Sequence, residues 1–288
     1  QIGGLTVSQL ILLDPTVLSE LGATFVDALN TTQVKGLTPA QIAVITVSQV
    51  AGLSSVDVSV LSTRQIGGLT PSQVTALTTT QMDGLSTAQI KVLTVTQVGG
   101  LTATQIAALT TVQFGGFTAK ELSAFGVQLS GVTTSQIQSL SSLQLNGLTA
   151  DQIAQLSTTQ ISALGSAQIA ALTTRQEGGL SSRDIAAWNA GQIAGLTAAQ
   201  IRALTVDQAP GLSGQIATLG IAQVQALSVD DLSMLSRVIP NMLPSQVNAM
   251  NKVQMGAVYA FFSQTQVSAM STAEMKIYTS VGGTLKGA

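Results

Sequence analysis

The chain has no cysteine and no histidine. Their absence excludes disulfides, thiolate and imidazole metal sites, and the usual nucleophile–base pairs of hydrolases. Charge is scarce as well: Asp, Glu, Lys and Arg make up 8% of 288 residues, and the formal net charge is −2. A typical soluble domain carries about 25% charged residues. The 11 basic residues are scattered singly from Lys35 to Lys286, which gives no electrostatic footprint for nucleic acid or an anionic membrane. Aromatics are 3% of the chain, yet apolar residues reach 45% and mean hydropathy is +0.43, the opposite of a disordered composition. A bilayer-spanning run of about 18 apolar residues is missing too. The nearest candidate, Val253 to Phe262, is short and interrupted by Gln254 and Gly256. No cofactor, nucleic-acid partner or membrane insertion is expected, and a surface this weakly charged opposes self-association little.

What fills the chain is one phrase repeated. Large apolar residues fall every eight positions, from Leu5, Leu13 and Leu21 through Leu69 and Leu101 to Phe117 and Phe125. A one-residue deletion resets the phase at Val132, and the series resumes from Leu140 to Leu212 with Trp188 on it. A second deletion resets it at Leu219, followed by Leu227, Leu235 and Leu243.

Around each such residue the octad reads Leu-Thr-x-x-Gln-Ile-x-x, and its chemistry is that of a helix start. In Leu69-Thr70-Pro71-Ser72-Gln73-Val74 the Thr70 hydroxyl can cap the first turn, and Pro71 occupies the first helical position. Gln73 can reach back to the Thr70 N–H and close a capping box, while Leu69 and Val74 form the hydrophobic staple. Thr38 with Gln41, and Thr102 with Gln105, repeat the arrangement. Where the glutamine is replaced it becomes Asp57, Glu121, Asp184 or Asp231, acids that still suit a first helical turn. These glutamines and threonines are assigned as structural caps.

A second rhythm lies over the first. Glycine precedes the large apolar residue in alternate octads, at Gly36, Gly52, Gly68, Gly84, Gly100, Gly116, Gly131, Gly147, Gly179, Gly195 and Gly211. Glycine ends helices or lets backbones pack closely. The unit is therefore expected to be a sixteen-residue pair of short helices, one tight at glycine and one roomier. A β-solenoid fits poorly, because the two apolar positions are separated alternately by five and three residues and would face opposite sides of a strand. Helices this short are not stable alone, so stacking into an all-α solenoid has to hold them.

Two places depart from the pattern. Residues 13–32 are degenerate, with Asp14-Pro15 and Gly22 in place of normal starts. From about Asp230 the glycine rhythm is lost, prolines 240 and 244 appear, and most of the methionines and both tyrosines gather. The chain is thus divided into an octad solenoid over 1–229 and a divergent segment over 230–288. That segment reads as a terminal cap, or as an assembly interface carried by Tyr259, Phe261, Phe262, Met270 and Tyr278. Val253 to Phe262 reads as a buried helix and Thr279 to Ala288 as a glycine-rich tail. Trp188, on a leucine position, belongs to the core.

No motif carries chemistry. Asp230-Asp231 is explained by a helix start after Ser228, and the Gly-Gly pairs lack the Lys-Ser or Lys-Thr of a phosphate loop. Asn30-Thr31-Thr32 matches a glycosylation acceptor, but Asn30 and Gln33 also make a cap and box, the preferred reading. Neither a catalytic nor a metal site is assigned.

Octads such as Ala108-Leu109-Thr110-Thr111-Val112-Gln113 and Ile169-Ala170-Ala171-Leu172-Thr173-Thr174-Arg175-Gln176 resemble the Leu-Thr-x-x-Gln-Ile arrays of very large secreted or surface proteins of bacteria. More distantly, the pattern is similar to the short-helix superhelical repeats of the mesothelin and stereocilin group, whose cysteines are missing here. The resemblance implies an extracellular or cell-surface location and a structural or adhesin-like role. The expected function is a non-enzymatic subunit of a surface filament, sheath or layer that self-associates. The alternative is an adhesive solenoid recognising a glycan or protein, and a third reading is an intracellular scaffold. Beginning at Gln1, with no signal-peptide pattern, the chain reads as a processed product or a piece of something longer.

Overall fold

A computed structural model describes residues 2–284. Among the described residues every regular element is an α- or 3-10 helix, most of them five or six residues long, and they repeat as a helical solenoid. The chain divides into two compact units, Gln1–Leu148 and Thr149–Ala288. None of the helices is long and apolar enough to cross a membrane.

Each octad is its own helix. In the first unit Pro39–Val44, Val47–Gly52, Ser55–Val60, Thr63–Gly68 and Pro71–Ala76 follow one another with only two extended residues between them. Leu69 (φ −62°, ψ 139°) stops one helix and Thr70 (φ −73°, ψ 157°) caps the next. The stop needs no glycine, because the extended cap geometry at Leu-Thr itself interrupts the ladder. The Leu69 N–H still donates to the Ile66 carbonyl at 3.2 Å. Two side chains per octad enter the core, the leucine before the cap and the residue after the glutamine. Ile42, Val50, Val74 and Ile106 are fully buried, with Ile45, Leu53, Leu77 and Leu109 nearly so.

The neighbour in space lies three octads away in sequence. Pro71–Ala76 packs on Val47–Gly52, and Thr79–Asp83 on Ser55–Val60. The second unit repeats this, with Ala190–Gly195 on Ser166–Ala171 and Thr174–Glu177 on Ala150–Gln155. The sixteen-residue glycine rhythm takes its meaning from that stacking. The glycines are not left-handed helix caps: Gly84 and Gly100 have φ of −69° and −84°, and Gly282 is the one described glycine with positive φ. From Gly68 to Gly211 those of the rhythm instead lie against the first residue of the helix three octads back. A Cβ on Gly195 would come within 2.6 Å of the Ser166 carbonyl oxygen, and one on Gly211 within 2.6 Å of that of Ser182. Close approach of backbones fixes these glycines.

The one-residue deletions are also explained. At the first, Val127–Gly131 winds as a 3-10 helix, and Gln128 follows its cap Gly126 by two residues instead of three. At the second, Gln215 follows Ser213 by two, within the 3-10 segment Ala209–Thr218. A tighter helix uses fewer residues per turn, so both segments still pack on the helices three octads back, Ala103–Ala108 and Ala190–Gly195, although Gln128 reaches only the Gly99 carbonyl. A third shortening escapes the leucine count. Leu243 was placed in the buried series, but it is half exposed at a cap position, and Met242 takes the buried place through the 3-10 turn Ser236–Asn241.

Beyond residue 230 the helix starts persist. Boxes close at Ser228–Asp231, Asn251–Gln254, Ser263–Gln266 and Ser271–Glu274. The helix expected over Val253 to Phe262 is Lys252–Val258 followed by the 3-10 turn Tyr259–Phe261, buried on one face with Val253 exposed. The tail expected over Thr279 to Ala288 begins inside the helix Thr272–Ser280, and its last four residues lie outside the described ones.

Candidate functional site

The most repeated polar side chain is the octad glutamine, and its two ends do different work. In Gln73 the carbonyl end accepts from the Thr70 N–H at 2.6 Å, and the Gln73 N–H donates to the Thr70 hydroxyl at 3.2 Å, closing the box. Thr38 with Gln41 (2.9 and 3.2 Å) and Thr102 with Gln105 (2.8 and 3.1 Å) do the same. The amide end points the other way. Nε2 of Gln73 donates to the Ile42 and Ile45 carbonyls at 2.9 and 2.6 Å. These are carbonyls left open where the helix four octads earlier ends. Gln41 reaches Leu10 and Leu13, Gln105 reaches Val74 and Leu77, and Gln200 reaches Ile169 and Leu172. One side chain thus satisfies the start of its own helix and the end of another. Sequence reasoning found the box; the tie between layers has no local signature, because its partners lie 28 to 31 residues away.

Two of the acidic replacements obey the same logic with the donor reversed. A carboxylate cannot donate, so Asp57 and Asp184 keep the box and accept across the layer. Thr31 Oγ1 donates to Asp57 at 3.2 Å and Thr158 Oγ1 to Asp184 at 2.7 Å, each donor being the first residue of a helix three octads back. For Asp231 the corresponding place, after the shortening before Leu219, falls on Val206, just past the cap Thr205. Valine offers no hydroxyl, and Asp231 Oδ1 is buried with no partner. Val206→Thr is expected to supply that donor and raise unfolding stability by about 1 kcal/mol, read from a urea midpoint. An unchanged or lower midpoint would break the rule.

Other residues that could have carried chemistry are placed in the fold. Trp188 is 1% exposed and its Nε1 donates to the Ile161 carbonyl at 3.2 Å, so it is core. Asn30 Oδ1 accepts from the Gln33 N–H at 3.0 Å and acts as a cap. Asp14 caps Pro15–Glu20, and the Thr16 hydroxyl and N–H at 2.7 and 2.8 Å hold its carboxyl below the usual carboxylate range. No group of three or more metal-ligating side chains occurs among the described residues.

Of the five residues read as an interface, four gather at one apolar cluster. Tyr278 is buried with Met255 and Val267, and Tyr259, Phe262 and Met270 pack partly buried against that cluster. The Phe262 and Tyr278 rings lie 6.0 Å apart. Phe261 alone turns outward, 44% exposed. Beside the cluster lies a cavity of about 330 Å³ lined by Tyr259, Phe262, Gln264, Val267, Tyr278 and Thr284.

Three stretches, 79–111, 154–182 and 179–214, match the sequence profile of the ALTTAQ repeat, a phrase that Ala171-Leu172-Thr173-Thr174-Arg175-Gln176 repeats with one change. Comparison with curated proteins finds no match. The chain is a repeat protein.

Proposed function

We propose that the chain is a non-enzymatic, self-associating structural protein, an element of an extracellular filament, sheath or layer at a cell surface. The observation that carries the reading is where the recurring polar groups go. The glutamine and threonine side chains, the residues a solenoid would use to bind or react, are consumed by boxes and layer ties within the fold. What they leave outside is sparsely charged and dotted with exposed apolar side chains such as Val56, Val112, Val127 and Leu143. Such a surface repels its copies weakly. The extracellular location is supported by the resemblance to secreted arrays and is compatible with the absence of cysteine. Sedimentation and electron microscopy of the purified protein over a concentration series test it. Ordered polymers or sheets are the expected result, and a chain that stays monomeric throughout would remove the proposal.

The adhesive reading is favoured by the C-terminal cavity, since two tyrosines and Phe262 beside Gln264 and Thr284 suit a sugar ring that stacks and hydrogen-bonds. Glycan-array binding that Tyr259→Ala reduces would support it over assembly.

A further inference from the structure

Along the second unit the residue after the box position is a buried hydrocarbon: Ile153, Ile161, Ile169, Ile185, Ile193 and Ile201. At Glu177 the same place holds a carboxyl group. It is 1% exposed, and neither of its oxygens has a hydrogen-bond partner. The backbone around it is fixed on both sides. The Glu177 N–H donates to Thr173 at 2.9 Å, and its carbonyl accepts the Gln208 amide at 2.8 Å and the Leu180 N–H at 2.9 Å. The side chain therefore cannot reach water without displacing the helix Thr174–Glu177 from its layer. Within the unit that helix packs on Ala150–Gln155 and under Ala198–Ala203, whose charged residues are Asp151 and Arg202. Both are exposed, as is Arg175 on the same helix, and neither Glu177 oxygen bonds to any of them.

We propose that Glu177 is a pH-sensitive latch: protonated, it fills an isoleucine's place and the layer is closed, and ionised, it is expelled and the layer opens locally. An unpaired carboxylate in an apolar interior is the costlier form, and burial pushes this carboxyl from 4.5 up to about 8. The sign follows from the proton count. Below about pH 4.5 folded and open chains are both protonated, and the latch is fully closed. Through the window up to about 8 the closed state must hold a proton that the open state releases, so closure weakens as pH rises. Above about 8 the loss levels off. Alkalinity thus loosens one layer of the solenoid, a way to soften or release an assembly at one point.

Hydrogen exchange on the full chain tests this, following the amides of Glu177, Gly179 and Leu180 and correcting for intrinsic pH dependence. The opening constant at these amides is expected to rise about tenfold per pH unit between about 5 and 8. The amides of Ile193 and Leu196 should stay flat. In Glu177→Ile the slope should vanish and the layer should become more protected. Glu177→Gln should also lose the slope while remaining less protected than Glu177→Ile. A flat wild-type profile overturns the latch, and so does a slope that survives in either variant. The wild-type titration decides alone if a variant does not fold.

Discussion

Gln105→Glu is expected to keep its helix capped and lose its layer. The new carboxylate can still accept from the Thr102 N–H, now 2.8 Å from the glutamine oxygen. It cannot donate to Val74 and Leu77, whose carbonyls now take the amide at 2.9 and 2.7 Å. The Leu77 carbonyl loses its donor, the Val74 carbonyl keeps only the Leu77 N–H at 3.2 Å, and both meet a negative charge instead. An unsatisfied buried group costs about 1–3 kcal/mol and an unpaired buried charge more, so the loss at neutral pH should be about 3–5 kcal/mol in urea unfolding. Acidification should recover part of it, because a protonated carboxyl regains one donor. Gln155→Glu, on an exposed residue of the helix Ala150–Gln155, should change stability by less than about 0.5 kcal/mol. If the two variants behave alike, the glutamine is only a cap.

Gly131→Ala should be nearly as damaging, and for a purely steric reason. Its Cβ would lie 2.5 Å from the Ala103 carbonyl carbon and 2.7 Å from the Ala103 Cα, and closer still to the carbonyl oxygen. The obstacle is backbone on both sides, so no rotamer change relieves it. A loss of about 3 kcal/mol is expected, at the upper end for overpacking. The first glycine of the pair Gly99-Gly100 provides the contrast. Nothing lies within 4 Å of a Cβ on Gly99, whereas one on Gly100 would meet the Thr75 hydroxyl at 3.0 Å and the Pro71 carbonyl at 3.2 Å. Gly99→Ala should therefore stabilise its helix by about 0.5–1 kcal/mol. Thermal melts of these variants separate glycine needed for approach from glycine that is merely tolerated.

The local half of this fold is legible in the sequence alone. Cap, box and staple are relations between residues three to five apart, and Thr70, Gln73, Leu69 and Val74 state them directly. The layer was not legible, because nothing within an octad says whether its neighbour in space is the next copy or the third. The glycine rhythm was the one clue, and it marks the contact of each alternate helix with the first residue of the helix three octads back. Leu243 misled for a related reason: counting leucines assumes a constant period, and a 3-10 turn shortens the period without leaving a gap. In the C-terminal segment composition left a cap and an interface both open for Tyr259, Phe262, Met270 and Tyr278, because aromatics and methionines serve equally as core where the repeat ends. Glu177 was visible as a break in the isoleucine column, but its burial without a partner is a property of packing alone.

The dual role of the glutamines is tested most directly by exchange of their side-chain amide protons, resolved residue by residue in solution. If each amide ties two layers, the carboxamide protons of Gln73, Gln105 and Gln200 should exchange orders of magnitude more slowly than those of exposed Gln9 and Gln155. Uniform exchange at the free-amide rate would mean that the layers are held by apolar contact alone, and the recurring polar surface would again be open to a ligand.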